Sequence, residues 1–216
     1  MDFRLRSLDP GTPRAWDADR PVRCEICAPR RTLCLVPGPY VFVVADVVVL
    51  LGAPGSGKST IGAQLRRRGC RWRDWEMVIL ERWGSRDQFI ADKATALPAL
   101  HEEIRRWITS EAPPAVLETT GLSDAPLRAE LARTHDVLTV RLDVSETEAL
   151  RRIAARQRDR HLTDDLEANR LVWQAFQDQV SRTSGVDLTI DTEARPVEEV
   201  VAAISEALRY PPCDRT

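Results

Sequence analysis

The sequence has no large excess of charge of either sign. It contains 31 lysines and arginines against 33 aspartates and glutamates, so its formal net charge is -2. This balance disfavours a protein that holds nucleic acid mainly through a chain-wide basic field, although a local basic patch stays open. The length of 216 residues predicts one domain with a short appendage at most, because domains typically have roughly 100–200 residues.

Lysine is almost missing from the sequence. Lys58 and Lys93 are the only two lysines, and arginine supplies every other basic side chain apart from histidine. The skew indicates a GC-rich coding sequence, so a single surface arginine says little about function. A lysine in this background is more informative, which draws attention to the surroundings of Lys58.

Long hydrophobic runs and a disulfide framework are also missing. The longest apolar run, residues 41–51, contains Asp46 and is too short for a membrane-spanning helix, which needs about 20 apolar residues. It lies far from the N-terminus and no small-residue cleavage site follows it, which is not typical of a signal peptide. The five cysteines are an odd number, which does not suit a secreted disulfide scaffold. We therefore expect a cytoplasmic protein without a membrane partner.

Residues 1–40 lack a sustained hydrophobic period and hold six of the 14 prolines. Such a stretch buries too little apolar surface to offset its ordering entropy, which predicts an irregular, proline-rich arm. Cys24 and Cys27 form a CxxC pair with Cys34 following, but no second ligand pair follows at zinc-finger spacing. A zinc site is therefore not favoured, and the role of the arm stays open.

From Val47 onward, short β-branched runs alternate with longer segments of helical period. We predict strands at 47–51, 71–74, 115–119, 137–143 and 187–191, and helices at 58–68, 87–110, 124–133, 146–158, 165–182 and 196–209. This alternation is typical of βαβ units, and it predicts an α/β fold with a mostly parallel sheet.

A complete phosphate-binding motif follows the first predicted strand. Residues 52–59 match the pattern GxxxxGK(S/T) at every fixed position, between a predicted strand and a predicted helix. Loop N–H groups and the helix N-terminus would hold phosphate oxygens, Lys58 would bridge the outer phosphates, and Ser59 would ligate magnesium. The sequence therefore predicts ATP and Mg²⁺ as cofactors, with nucleotide-binding residues Gly52, Ala53, Pro54, Gly55, Ser56, Gly57, Lys58, Ser59 and Thr60. A GTPase is disfavoured, because residues 141–144 read Arg-Leu-Asp-Val where those proteins usually show NKxD.

The chain from about residue 45 to residue 210 resembles the small P-loop kinases of the shikimate kinase, gluconate kinase and adenylate kinase type. These belong to the P-loop NTPase superfamily, together with the related AAA-type ATP-binding kinase domains of polynucleotide kinases. The resemblance rests on the P-loop, on Asp74 and Glu118 at two strand ends, and on the arginine-rich segment 151–161. It implies a three-layer α/β/α fold with a five-stranded parallel sheet in the order 2-3-1-4-5. Together with the proline-rich composition of residues 1–40, it predicts an arm at 1–40, a P-loop kinase-like nucleotide-binding domain at 41–210 and a tail at 211–216.

The resemblance further implies roles for single residues. Asp74 is expected to be the acceptor-side base, Glu118 to hold magnesium through water, and Arg152 to bind the nucleotide. Lys58, Arg156 and Arg160 are expected to act with Asp74 as catalytic residues over the phosphates. The acceptor-side candidates are Glu76, Arg82, Arg86, Thr119, Thr120 and Gly121.

Which of Asp74, Glu76 and Glu118 is the base stays open, and so do the structural roles of two of them. Asp74 also fits a solvated turn beside buried tryptophans, and Glu118 also fits a helix cap near Ser123. Shikimate kinases show a glycine triplet after the third strand and a DxD pair after the second. After the third strand this chain has Thr119, Thr120 and Gly121 instead of the glycine triplet. After the second strand it has Glu76 in place of the second aspartate of the pair. Shikimate itself is therefore not favoured as the acceptor.

We predict an ATP-dependent phosphotransferase with an alcohol group of a small molecule as acceptor. One alternative is a polynucleotide or nucleoside kinase of the same fold, with a basic groove around Arg71, Arg73, Arg82 and Arg86. The other is a nucleotide-binding regulatory protein without a transfer step. A nucleic-acid partner is not favoured, and neither the acceptor nor the oligomeric state follows from the sequence. Trp72, Trp75 and Trp83 flank Asp74 and are expected in the core rather than against a flat acceptor.

Overall fold

The computed structural model describes residues 45–110, 114–156, 163, 165–180 and 185–209. The predicted arm, with Cys24 and Cys27, the predicted tail and Arg160 therefore lie outside the described residues. Five strands are described: β1 (Val47–Gly52), β2 (Arg71–Asp74), β3 (Ala115–Thr119), β4 (Val137–Asp143) and β5 (Leu188–Asp191). The described helices are α1 (Lys58–Arg67), α2 (Trp75–Trp83), α3 (Arg86–Ala91), α4 (Lys93–Thr109), α5 (Ala125–Thr134), α6 (Glu146–Ala155), α7 (Leu166–Gln179) and α8 (Val197–Arg209).

The five strands form one parallel sheet in the order β2-β3-β1-β4-β5. This confirms the predicted order. Strand β1 lies in the middle and every one of its residues is buried, as its uninterrupted apolar sequence requires. Because the carboxyl ends of parallel strands meet at one edge, the loop after β1 lies beside the ends of β2 and β3.

Alternate residues of β1 face two separate helical layers. Val49 and Leu51 belong to a core cluster formed with α2, α4, α5 and α7. Val48 and Leu50 belong to a second cluster, formed with α1 and α8. A strand buried on both faces between two helical layers confirms the three-layer α/β/α fold.

The segment after β2 differs from the prediction of one helix over 87–110. It forms α2, α3 and α4 instead, and α2 was not predicted. The Asp74 side chain accepts from Glu76 N at 2.8 Å and so caps α2, while Gly84 ends that helix with a φ of 76°. Ser85 then caps α3 by accepting from Gln88 N. These caps explain the starts of α2 and α3, whereas the break between α3 and α4 lies at Asp92, whose side chain makes no cap hydrogen bond.

The three tryptophans near Asp74 lie on two faces of the sheet. Trp75 and Trp83 pack in the cluster with α4, whereas Trp72 packs in the cluster with α1 and α8. They therefore form no common surface around Asp74. None of the helices in the described part of the chain is long and apolar enough to span a membrane.

Candidate active site

The loop between β1 and α1 has the backbone geometry that its glycines predict. Gly57 caps α1 with a φ of 89°, and Gly55 has a φ of 80°. A Cβ atom at Gly55 would lie 2.5 Å from the carbonyl oxygen of Ala149 in α6. Glycine is needed there both for the left-handed backbone and for the close contact between the loop and α6.

Lys58 begins α1 and folds back onto the loop. Its Nζ donates to the carbonyl oxygens of Gly52 at 2.8 Å and Ala53 at 3.1 Å. Only 9% of Lys58 is exposed. The single ammonium in this region is thus held within the phosphate-binding loop, where the sequence motif places it.

Ser59 and Glu118 meet at the mouth of the loop. Ser59 Oγ donates to Glu118 Oε1 at 2.6 Å, and Trp72 Nε1 donates to Glu118 Oε2 at 2.9 Å. Glu118 is 3% exposed, and this burial raises its pKa, while the Lys58 charge and the two hydrogen bonds offset part of the rise. Both carboxylate oxygens accept from Ser59 and Trp72, so Glu118 does not act as a helix cap near Ser123.

Asp74 ends β2 directly beside Glu118 in the register of the sheet. Burial raises the pKa of Asp74 to about 8, with further contributions from the charges of Glu118 and Glu76. Helix α2 begins at Trp75, yet Glu76 stays close enough to act on both carboxyls. Asp74 is half-buried and its side chain caps α2, which does not fit a fully solvated turn residue. A carboxyl that titrates near neutral pH suits a proton acceptor.

The donor set at Ser59 and Glu118 fits magnesium. Mg²⁺ prefers oxygen ligands and is usually held by one or two carboxylates together with substrate phosphates. Ser59 is exposed and in contact with the buried Glu118, which offers a hydroxyl and a carboxylate at one point. Within the described ranges, no group of three or more His, Cys, Asp or Glu side chains could hold a metal ion. The site thus suits a metal that arrives with a nucleotide.

Arg152 of α6 ties the phosphate-binding loop to the segment after β5. Its Nη1 donates to Gly55 O at 3.4 Å and to Thr192 Oγ1 at 3.2 Å, and its Nη2 donates to Thr192 O at 2.9 Å. Its Nε donates to Glu148 Oε1 at 2.7 Å. The predicted nucleotide contact of Arg152 is consistent with this place, next to the loop.

A cleft of about 560 Å³ opens beside Arg152. It is lined by residues of the loop, of α1, of α6 and of the segment that leads into α8, among them Gly57, Thr60, Arg151, Thr192, Arg195 and Val197. Arg195 and Val197 were not predicted as site residues from the sequence. Their position after the last strand, at the same edge of the sheet as the loop, is the signal that could have indicated them.

The acceptor-side arginines have partners in the protein. Arg82 donates to Glu103 Oε2 at 2.8 Å, and Arg73 donates to Glu103 Oε1 at 3.0 Å. Arg71 donates to the carbonyl oxygens of Trp107 and Ile108 at the end of α4. Three of the four arginines expected around a basic groove therefore contact protein groups. The fourth, Arg86, is half-buried at the first position of α3.

The turn after β3 is tightly packed. Thr119 is 3% exposed and its Oγ1 accepts from Gly121 N at 3.1 Å. Gly121 has a φ of 80°, and a Cβ atom there would lie 2.8 Å from Val180 Cγ1. Thr120 is half-buried between them. Thr119 and Gly121 thus shape the turn, and Thr120 is the more accessible of the three candidates.

Arg156 follows the last residue of α6. Its Nη2 donates to the carbonyl oxygen of Thr163 at 3.0 Å, which links the two ends of the segment between α6 and α7. The catalytic role predicted for Arg156 stays a prediction, as does that of Arg160 outside the described residues.

Solved structures share this fold at low sequence identity. Shikimate kinase from Aquifex aeolicus is 22% identical, with 75% of this chain and 95% of that chain covered and a TM-score of 0.51. Shikimate kinase from Bacteroides thetaiotaomicron is 20% identical, with 75% and 97% covered and a TM-score of 0.59. Deoxyadenosine kinase from M. mycoides is 15% identical, with 75% and 98% covered and a TM-score of 0.51. No curated protein sequence matches this chain.

A family model described as AAA domain matches residues 48–172. The match is longer than half of the chain and includes the phosphate-binding loop, Asp74, Glu118 and Arg152. The chain therefore belongs to the AAA domain family, with the fold of the small P-loop kinases.

Proposed function

We propose that this protein is an ATP-dependent phosphotransferase that moves the γ-phosphoryl group of ATP to a hydroxyl group of a small molecule. The observation that supports the proposal most strongly is the meeting of four side chains at one edge of the sheet: Lys58, Ser59, Glu118 and Asp74. A cation, a hydroxyl, a buried carboxylate and a carboxyl of raised pKa supply the groups that phosphoryl transfer needs.

The nucleotide would lie along the loop, with its base and ribose in the cleft beside Arg152. Lys58 would exchange its bonds to the carbonyl oxygens of Gly52 and Ala53 for bonds to phosphate oxygens. Ser59 and Glu118 would hold magnesium, Glu118 through water, and the ion would neutralise phosphate charge when it is bound. Arg156 and Arg160 remain the proposed arginines on the phosphate side.

Asp74 would take the proton from the acceptor hydroxyl. As that O–H bond breaks, the acceptor oxygen forms a bond to the γ-phosphorus, and the bond between this phosphorus and the β–γ bridging oxygen breaks to release ADP. The step runs from the ionised form of Asp74, whose pKa of about 8 makes it a stronger proton acceptor than an ordinary carboxylate and requires a pH that approaches 8 for full ionisation. Glu76 lies beside Asp74 and is a further acceptor-side candidate.

A polynucleotide acceptor is less well supported. Binding a charged backbone needs free positive charge, but Arg73 and Arg82 share Glu103, and Arg71 contacts the end of α4. These pairings favour a small acceptor over a nucleic acid. A nucleoside acceptor is compatible with the same arrangement.

The test is ADP release measured with pooled hydroxylated metabolites, nucleosides and 5′-hydroxyl oligonucleotides, with Lys58→Ala protein as the blank. We expect release that depends on a small-molecule pool and on Mg²⁺. Release only with oligonucleotides would identify a polynucleotide kinase. ATP binding without acceptor-dependent release in any pool would instead support the regulatory alternative.

A further inference from the structure

Trp72 was expected only as a core residue, yet it contacts the proposed magnesium site. Its Nε1 donates to Glu118 Oε2 at 2.9 Å, while Ser59 Oγ donates to Glu118 Oε1 at 2.6 Å. The carboxylate is thus fixed between two donors, one on α1 and one on β2. A buried carboxylate held in this way has little freedom to rotate.

Gly62 makes room for this arrangement. A Cβ atom at position 62 would lie 2.2 Å from Trp72 Nε1 and 2.5 Å from Trp72 Cδ1, so the indole lies directly against the backbone of α1. Gly62 is not among the glycines of positive φ in the described residues. Glycine is unfavourable inside a helix, and here the backbone conformation does not require it. The close approach of the Trp72 ring is what requires it.

We propose that Trp72 is a positioning residue that holds Glu118 in the orientation for magnesium, and that Gly62 is present so that the indole can reach it. The inference rests on the proposed function, because it concerns how the ATP-bound ion is held. Ser59 Oγ on α1 binds one carboxylate oxygen of Glu118 at the mouth of the loop, and Trp72 Nε1 on β2 binds the other. The indole itself does not contact the reacting atoms.

The experiment measures ATP binding by calorimetry at a series of Mg²⁺ concentrations, with no acceptor present. Trp72→Phe keeps an aromatic ring and removes only the indole donor. We expect the Mg²⁺ concentration at half-maximal effect to rise about tenfold, the lower end for loss of a partner behind a metal ligand. ATP affinity without Mg²⁺ should stay within about twofold of the wild type, because the loop itself is unchanged.

Two further proteins separate positioning from general packing. Trp107→Phe is the matched control, because Trp107 is another partly buried tryptophan that packs in the opposite cluster. It should leave the Mg²⁺ dependence unchanged. In a Glu118→Gln background, Trp72→Phe should add little, because the two residues act as one unit. If Trp72→Phe raises the Mg²⁺ concentration at half-maximal effect as much in that background as it does alone, the inference is overturned.

Each remaining outcome also supports or overturns the positioning role of Trp72. If folded Trp72→Phe protein has the Mg²⁺ dependence of the wild type, the inference fails while the proposed function stands. If wild-type protein does not bind ATP in the presence of Mg²⁺, the proposed function is wrong, and the inference that rests on it is overturned with it. If Trp72→Phe protein does not fold by circular dichroism, Gly62→Ala takes its place, since the added methyl displaces the indole from Glu118. An unchanged Mg²⁺ dependence in folded Gly62→Ala protein would then overturn the inference.

Discussion

The phosphate side and the acceptor side of the candidate active site are built differently. On the phosphate side, Lys58 is a buried cation that contacts only carbonyl oxygens of its own loop among the contacts described. On the acceptor side, Asp74 lies close to two further carboxylates, and Arg82 and Arg73 both pair with Glu103. The first side is ready to receive negative charge, whereas the second offers a proton acceptor and few free cations. This difference gives each side a separate set of expected mutant effects.

The largest effect is expected for Lys58→Ala. Removing the cation from the phosphate side should lower kcat/KM for ATP by about 100-fold to 1000-fold, the usual scale for loss of one charge-stabilising group. Steady-state ADP release measures it. Lys93→Ala is the matched control, because Lys93 is the other lysine and is exposed on α4. Equal activity of both variants would contradict the phosphate-side account.

The second-largest effect on activity is expected for Asp74→Asn, on the acceptor side. We expect kcat to fall about 100-fold or more with nearly unchanged ATP affinity, because a general base acts only in the transfer step. Since the pKa of Asp74 is about 8 in the nucleotide-free protein, wild-type kcat/KM for the acceptor should rise as the pH approaches 8. The variant should lose that rise. Glu118→Gln should instead change the Mg²⁺ dependence. Normal kcat in Asp74→Asn alongside a large loss in Glu118→Gln would transfer the base role to Glu118.

Asp74→Asn should also stabilise the nucleotide-free protein against unfolding. The pKa of Asp74 rises from 3.8 to about 8 on folding, so the folded state holds a proton that the unfolded state releases. The stability of the wild type relative to Asp74→Asn should therefore fall as the pH rises from about 4 to about 8. Near pH 8 we expect the variant to be more stable by about 1–3 kcal/mol in urea unfolding.

Helix capping provides the control for this stability effect. Asparagine can keep the bond to Glu76 N that caps α2, whereas alanine cannot. Asp74→Ala should therefore be about 1 kcal/mol less stable than Asp74→Asn. A wild-type protein that gains stability over Asp74→Asn with rising pH would show that Asp74 is ionised in the folded state.

A smaller effect is expected for Arg152→Ala beside the nucleotide cleft. The variant loses the bonds to Gly55 O and Thr192 that join the two walls of the cleft. We expect KM for ATP to rise about threefold to tenfold with a smaller change in kcat, which corresponds to one hydrogen bond or slightly more. Arg106→Ala is the comparison, because Arg106 is an exposed arginine of α4 that pairs with Glu102 and does not line the cleft. An equal change in both variants would indicate a general charge effect.

The smallest effect is expected for Arg82→Ala on the acceptor side. Arg82 is 43% exposed and shares Glu103 with Arg73, so its loss should change the free energy of unfolding by less than about 1 kcal/mol. KM for an uncharged acceptor should stay within about twofold, since no binding energy is removed. A rise of tenfold or more would show that Arg82 leaves Glu103 to bind the acceptor.

Local sequence was sufficient for the phosphate side. The loop of residues 52–59 is contiguous, and its glycines, Lys58 and Ser59 identify it as a phosphate-binding loop from the sequence alone. The apolar run of β1 and the alternation of strands and helices indicated a parallel sheet in the same way. The order of the strands came from the resemblance to the small P-loop kinases, because strand pairing is a long-range property.

Tertiary packing determined the acceptor side. The pKa of Asp74 depends on burial that no local pattern reports and on the charge of Glu118, 44 positions away. The pairing of Arg73 and Arg82 with Glu103 and the bond from Trp72 to Glu118 likewise join residues that are distant in sequence. Helix α2 was not predicted, because its start depends on a single N-cap hydrogen bond that the Asp74 side chain accepts. A motif specifies a loop by itself, but charge neutralisation and the orientation of a side chain are settled only when the elements pack together.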